Sequence, residues 1–354
     1  MSGPCKVTTV LLELVTLRGP QGDHHPVSPH TRLIRLAALG ATTALTLTAC
    51  GGQAASDSGS DDTPQGVVSR AAAKKIADHY EEVNNKANAA QDEKLLGTVE
   101  AGQVYAMDKA TYTLFETWPE KEKKAYAKPF SYQDREYVIP KKGTATWFAV
   151  RAKSSEGGEN SVLLVFDKVG GSYKMVLALW ADGEEPPKPA LDRHGLAEAV
   201  DPGTKVGKLA PSDLGAAYAD FLETGGKKKG KALTSTKPVE NAEKTYQRSS
   251  TEGAADGMAT EKFFAKPPAD PSVYALRTAD GGVLALFPAA HKQESLLKEA
   301  YRSNAALVPN DEQSALGATR GTLITDVFEG QGLAELTPKS ARITAVDFQH
   351  VDAR

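Results

Sequence analysis

The chain has 354 residues, 40% of them hydrophobic and 25% charged, with a formal charge of −3. This is the composition of a globular protein with apolar material for a core of one or two domains, and it excludes a multi-span membrane protein. The near-balanced charge excludes a general electrostatic attraction to nucleic acid.

Residues 1–49 read as a signal region. Residues 1–26 carry a mostly apolar run at 7–17, broken by Glu13, with Cys5 nearby. A secretory signal begins at its charged end, so Val27 is the expected start of translation. Arg32 and Arg35 form that positive end, and residues 36–48 follow with no charge. An apolar stretch this short does not span a bilayer, which needs about 20 residues.

Leu47-Thr48-Ala49-Cys50-Gly51 closes the segment. It resembles the bacterial lipobox, in which an apolar residue and two small ones precede a cysteine. The resemblance implies cleavage between Ala49 and Cys50, diacylglycerol in thioether linkage on Cys50, and acylation, for example by palmitate, of the new amino end. Cys50 would then be the only cysteine left, and no internal disulfide could form. Residues 50–66 are small, polar and acidic. They suit a flexible tether, about 20 Å long on average by the square-root rule for such chains.

A helix is expected from about residue 70. Ile76, Tyr80 and Val83 fall on one face, extended by Ala72, Ala73 and Ala87. Strands are expected near 145–152, 161–168 and 173–181, with Gly170-Gly171 turning between the last two. Glu184-Glu185-Pro186-Pro187-Lys188-Pro189 cannot continue a strand ladder and marks a linker over 185–205.

The second half repeats this order. A helix follows Pro211-Ser212, with Ser212 as its expected N-cap and Leu214, Tyr218 and Phe221 on its apolar face. These three lie 138 residues after Ile76, Tyr80 and Val83, and Ala265-Lys266-Pro267 lies 138 after Ala127-Lys128-Pro129. Residues 147–151 resemble 273–277, and 162–166 resemble 283–287. Further strands are expected near 272–278, 282–288, 321–329 and 341–350, and a helix over 292–306 with Leu296, Leu297 and Ala300 inward.

The fold class read from this order is α+β: a first domain over 67–184 and a second over 206–354, each a helix backed by a curved antiparallel sheet. Such a pair resembles the cystatin-like or nuclear-transport-factor-two-like cone. With the lipobox, the whole resembles uncharacterised lipoproteins of actinobacteria, and that resemblance carries over no catalytic residue. Tyr80 and Tyr218 should be buried between helix and sheet of their own domain.

No G-x-S-x-G elbow, P-loop, H-E-x-x-H or C-x-x-C occurs. His79, His194, His291 and His350 are far apart in sequence, so no local metal-ligand spacing exists, and neither metal nor cofactor is expected. Asp182-Gly183-Glu184-Glu185 is an acidic cluster, read as a solvated loop. Lys227-Lys228-Lys229-Gly230-Lys231 is a basic run, read as a solvated loop or as a contact with anionic wall polymer or lipid. Tyr80, Trp118, Trp147, Trp180 and Tyr218 are the candidates for lining a pocket in either cone, Trp118 being the most exposed. The functional expectation is a non-catalytic binding or envelope-maintenance module at the extracytoplasmic face of the cell membrane. Its partners would be the membrane, through the anchor, and an envelope ligand or protein. A cone-fold isomerase or hydrolase, or an importer's solute-binding protein, is the alternative.

Overall fold

The structure, a computed structural model, describes residues 64–155, 160–181, 185–255 and 257–354. The expected signal region, Ala49, Cys50 and the tether up to residue 63 lie outside the described residues.

Helix α1 (Arg70–Ala90) starts where the Ser69 hydroxyl accepts the Ala72 N–H, and it stops at Gln91 in the left-handed conformation. Its buried residues, Ala73, Ala77, Tyr80, Val83, Asn84 and Ala87, recur at three and four and form one stripe. Short helices α2 (Glu93–Val99), α3 (Gly102–Leu114) and α4 (Glu120–Tyr126) follow. The first sheet is an antiparallel meander of β1 (Tyr132–Val138), β2 (Phe148–Ser154), β3 (Ser161–Val169) and β4 (Ser172–Trp180). In the second half, α5 (Leu214–Thr224) and α6 (Lys237–Thr251) precede β5 (Ala259–Ala265), β6 (Tyr274–Arg277), β7 (Val283–Leu297), β8 (Leu323–Leu336) and β9 (Ala341–Ala353). A short helix, α7 (Asp311–Ala315), lies between β7 and β8. The second sheet runs β5-β7-β8-β9, and β6 pairs with the first part of β7. The fold is therefore α+β, with two antiparallel sheets and no strand of one half inside the sheet of the other.

Side-chain alternation shows how the halves sit. On β3, Val162, Leu164 and Phe166 face α1, while Leu163 and Val165 face the other way. On β7, Val283, Ala285 and Phe287 face α5, while Leu284 and Leu286 face the other way. The outward sets meet: Trp147, Leu163, Val165 and Leu179 pack with Tyr274, Leu276, Leu284 and Leu286 in one core. The order of layers is helix, sheet, sheet, helix. Burial on both faces explains the unbroken apolar run at 162–166.

Two expectations are corrected, and the linker segment is hydrogen-bonded to both halves. The segment 292–306 is not a helix: β7 runs to Leu297, between β5 and β8. Two flanking strands take its backbone hydrogen bonds, and burial alternates at Ser295, Leu296 and Leu297. Ser212 caps nothing. Pro211–Asp213 forms a tight turn in which Asp213 accepts the Ala210 N–H, and Ser212 is exposed. The segment at 185–205 is stitched rather than free: Ala190 and Val200 donate to the Arg277 and Ala275 carbonyls, and Ala197 donates to Ile139.

The sequence matches between halves fare unequally. Tyr80 and Tyr218 are both buried under their own sheets, and 162–166 and 283–287 present the same faces. The match of 147–151 to 273–277 is slipped by one residue, because Phe148 faces α1 while Tyr274 faces the partner sheet. The Ala-Lys-Pro match fails, since 127–129 leads into β1 and 265–267 leaves β5.

Candidate functional site

The stripe of α1 carries two polar residues among its apolar ones, and they anchor a hydrogen-bonded chain. Tyr112 and Tyr126 donate to Asn88 Oδ1 at 2.7 and 3.3 Å, and Asn88 donates to Asn84 at 2.8 Å. Asn84 and the Tyr80 hydroxyl each donate to Glu100 Oε1 at 2.9 Å. Tyr80, Asn84 and Asn88 are spaced by four, so they stack along one side of the helix. Glu100 is 1% exposed. Its other oxygen, Oε2, is buried with no hydrogen-bond partner among the described residues, and the Asp108 carboxyl on α3 is near enough to interact with it electrostatically. Burial, then the negative charge of Asp108, pushes Glu100 well above the carboxylate range. Burial raises Asp108 to about 7, although the nearby Glu100 carboxyl opposes the shift. Two neighbouring, desolvated carboxyls do not readily ionise together, and Glu100, the more deeply buried, keeps its proton. Loss of the hydroxyl in Tyr80→Phe would leave Glu100 one donor short, so a loss of about 1–2 kcal/mol is expected in urea denaturation. An unchanged midpoint would contradict the hydrogen bond.

A second candidate is an open cleft of about 500 Å³ along the free side of β5. Leu222, Tyr246, Ser249, Phe263 and Lys298 line it, with Glu261 at its base. Glu261 accepts from Gln293 at 2.7 Å, and burial raises its carboxyl above the ordinary value. Such a cleft offers apolar contact, the three carboxyls of Glu223, Glu252 and Glu261, and the backbone edge of a strand.

Deeper in the same half, His291, Phe328 and His350 stack across β7, β8 and β9 with ring centroids 4.8 Å apart. Burial lowers His291 to about 3, so its imidazole is neutral. His350 Nε2 lies 3.0 Å from Asp326, which also accepts from Gln313. Among the described residues no three His, Cys, Asp or Glu side chains are grouped to hold a metal ion.

The five aromatics expected to line a pocket are not brought together. Tyr80 and Tyr218 belong to the two helix–sheet cores, and Trp147 packs edge-on against Tyr274 between the sheets. Trp118 is half-buried against Phe115 and Tyr126, whereas Trp180 is 38% exposed, so the more exposed tryptophan is Trp180. His79 and His194 are exposed. Glu185 pairs with Arg151 and accepts from Ser161, while residues 182–184 lie outside the described ones. Glu100, Asp108 and Glu261 escaped the sequence reading; the one signal was the pair of asparagines on the otherwise apolar face of α1.

Comparison with known proteins places this architecture. The model of a family described as a domain of unknown function, DUF8094, matches residues 64–354. The chain belongs to the DUF8094 family. The match covers both sheets, in keeping with their shared core. The chain is 32% identical to the uncharacterized lipoprotein SCO6871 of Streptomyces coelicolor over 77% of its own length and 78% of that protein. It is 29% identical to the uncharacterized lipoprotein SCO2278 of the same organism, over 70% of its length and 74% of that protein. No solved structure matches.

Proposed function

We propose that this DUF8094 protein is a lipoprotein, held by acyl chains on Cys50 at the extracytoplasmic face of the cell membrane, whose body is a non-catalytic binding module. The observation that carries the anchor is the conjunction of Leu47-Thr48-Ala49-Cys50, behind a charged and an apolar segment, with relatives named as lipoproteins. Two acyl chains suffice for stable attachment, at roughly 0.8 kcal/mol per buried CH₂. No helix among the described residues is long and apolar enough to cross a membrane.

The non-catalytic reading is supported by where the perturbed groups sit. Glu100 and Asp108 are engaged with each other, and neither lines the β5 cleft. Glu261 does line it, but it accepts from the amide of Gln293 rather than from a hydroxyl or an imidazole. The cleft is the binding surface in this reading.

The test is Cys50→Ser in the producing cell. The parent protein should take up labelled palmitate, partition with membranes and be digested by protease added to intact cells. The Cys50→Ser protein should carry no label and be released or remain unprocessed. Retention of label and membrane association by Cys50→Ser would overturn the anchor.

A further inference from the structure

The basic run is built into a rigid wall. Asp220, 5% exposed on α5, accepts the backbone N–H groups of Lys228 at 2.7 Å and Gly230 at 2.9 Å, and it also accepts from the Thr224 hydroxyl. Burial alone would raise this carboxyl, but the bonds from Thr224, Gly230 and Lys228 outweigh it and hold Asp220 below its ordinary value. Gly225 and Gly226 turn the chain at φ 71° and 75°. A Cβ on Gly226 would lie 2.4 Å from the Phe221 ring, and one on Gly230 2.7 Å from it. The loop is therefore folded down on Phe221, which packs against the core of this half.

Across from it, Lys208 sits in a turn closed by the bond from Val206 N–H to Leu209. In that turn Gly207, at φ 68°, lies against the carbonyls of Thr337 and Pro338. Lys208, Lys228, Lys229 and Lys231 line an open cleft of about 420 Å³ between these two walls. Asp213 is the one carboxylate lining it, and it is bonded to the Ala210 N–H. Among the described residues none of the four ammonium groups has an ion-pair partner. Lys227 does not line the cleft; its ammonium lies 5.7 Å over the Tyr246 ring.

Four lysines lining one open cleft, in a chain of net charge −3, form a local field opposite to that of the whole molecule. Ammonium groups bind phosphate as point charges, and four of them against one carboxylate call for more than one phosphate. The recess is open, so a chain can enter and leave it, and its concavity suits a strand of phosphates better than a flat membrane surface. We propose that this cleft binds a soluble, chain-like polyanion bearing two or more phosphate groups. The inference is independent of the lipid anchor and of the β5 cleft.

The test uses the full-length Cys50→Ser chain, so that no acyl chain contributes, and follows binding by calorimetry. The probes are short-chain inorganic polyphosphate, inorganic phosphate and vesicles of phosphatidylglycerol. Polyphosphate should bind, with affinity falling as salt rises, and inorganic phosphate should bind far more weakly. Adding Lys229→Glu and Lys231→Glu together should weaken polyphosphate binding by about tenfold or more. Lys227→Glu, in the same run but outside the cleft, should change it by less than about twofold. Equal loss in Lys227→Glu would overturn the site, since it would reduce the effect to the charge of the run. Binding to the vesicles without binding to polyphosphate would overturn the ligand class.

Discussion

Glu329→Ala should destabilise the protein by about 3–5 kcal/mol, the range for removing one partner of a buried ion pair. Glu329, on β8, is 4% exposed and gathers three donors. Gln103 of α3 donates to it at 2.8 Å, the Ala269 N–H at 2.9 Å, and the Lys266 ammonium pairs with it directly. Gln103 also donates to the Gly330 carbonyl at 2.9 Å, so one amide from the first half is fixed between two acceptors of the second. Alanine would strand a largely buried ammonium and a backbone N–H, whereas the Gln103 amide would keep the Gly330 carbonyl. Glu329→Gln should cost less, since it keeps one acceptor oxygen, although its NH₂ replaces the other and meets a donor there. Urea denaturation of both variants measures this. A loss below 1 kcal/mol in Glu329→Ala would mean that water reaches Lys266 and Ala269, and that the polar contact between α3 and β8 does not help to join the halves.

That contact was not legible in the sequence, and the reason is physical. Helix α1 and strands β2, β3 and β4 announce themselves through periodicity, because one face of each must be apolar over its whole length. Strand β1 does not: of Tyr-Gln-Asp-Arg-Glu-Tyr-Val only Tyr132 is buried, and a bulge at Asp134, with φ 52°, breaks the alternation. In β5 the alternation is present at Ala259, Glu261 and Phe263, but a buried glutamate disguises it. The latter part of β7 reads as a helix because its leucines are adjacent, and only the strands on either side settle its conformation. The lipobox, by contrast, is contiguous and needs no fold to be seen. Glu100, Asp108 and Gln103 each meet a partner from another element, and a pairing across elements leaves no spacing to find.

Glu100, which ends α2, and Asp108, on α3, give the second large effect, and its sign runs against the habit that losing a buried group destabilises. Asp108 titrates at about 7 in the folded chain against 3.8 in the unfolded one, and Glu100 is raised further. Below about pH 4 both carboxyls are protonated whether the chain is folded or not, and the pair carries no penalty. As the pH climbs, the unfolded chain ionises freely while the folded chain keeps its protons, so stability falls from about pH 4 through about 7. Three units at about 1.4 kcal/mol each set a ceiling of about 4 kcal/mol on the Asp108 contribution, and the water that reaches this half-buried side chain lowers it to about 2. In Glu100→Gln the amide oxygen can still accept from Tyr80 and Asn84, and the amide N–H₂ can donate to Asp108. Glu100→Gln thus removes the group that burial forces to keep its proton, while Asp108 stays raised by its own burial and by Asp347. Glu100→Gln should therefore gain on the parent as the pH rises from 4 to 8, starting within about 1 kcal/mol of it at pH 4. Urea denaturation across that range measures the slope. A parent protein whose stability is flat from pH 4 to 8, with Glu100→Gln weaker at every point, would show that burial does not keep the pair protonated and that Tyr80 and Asn84 hold Glu100 ionised.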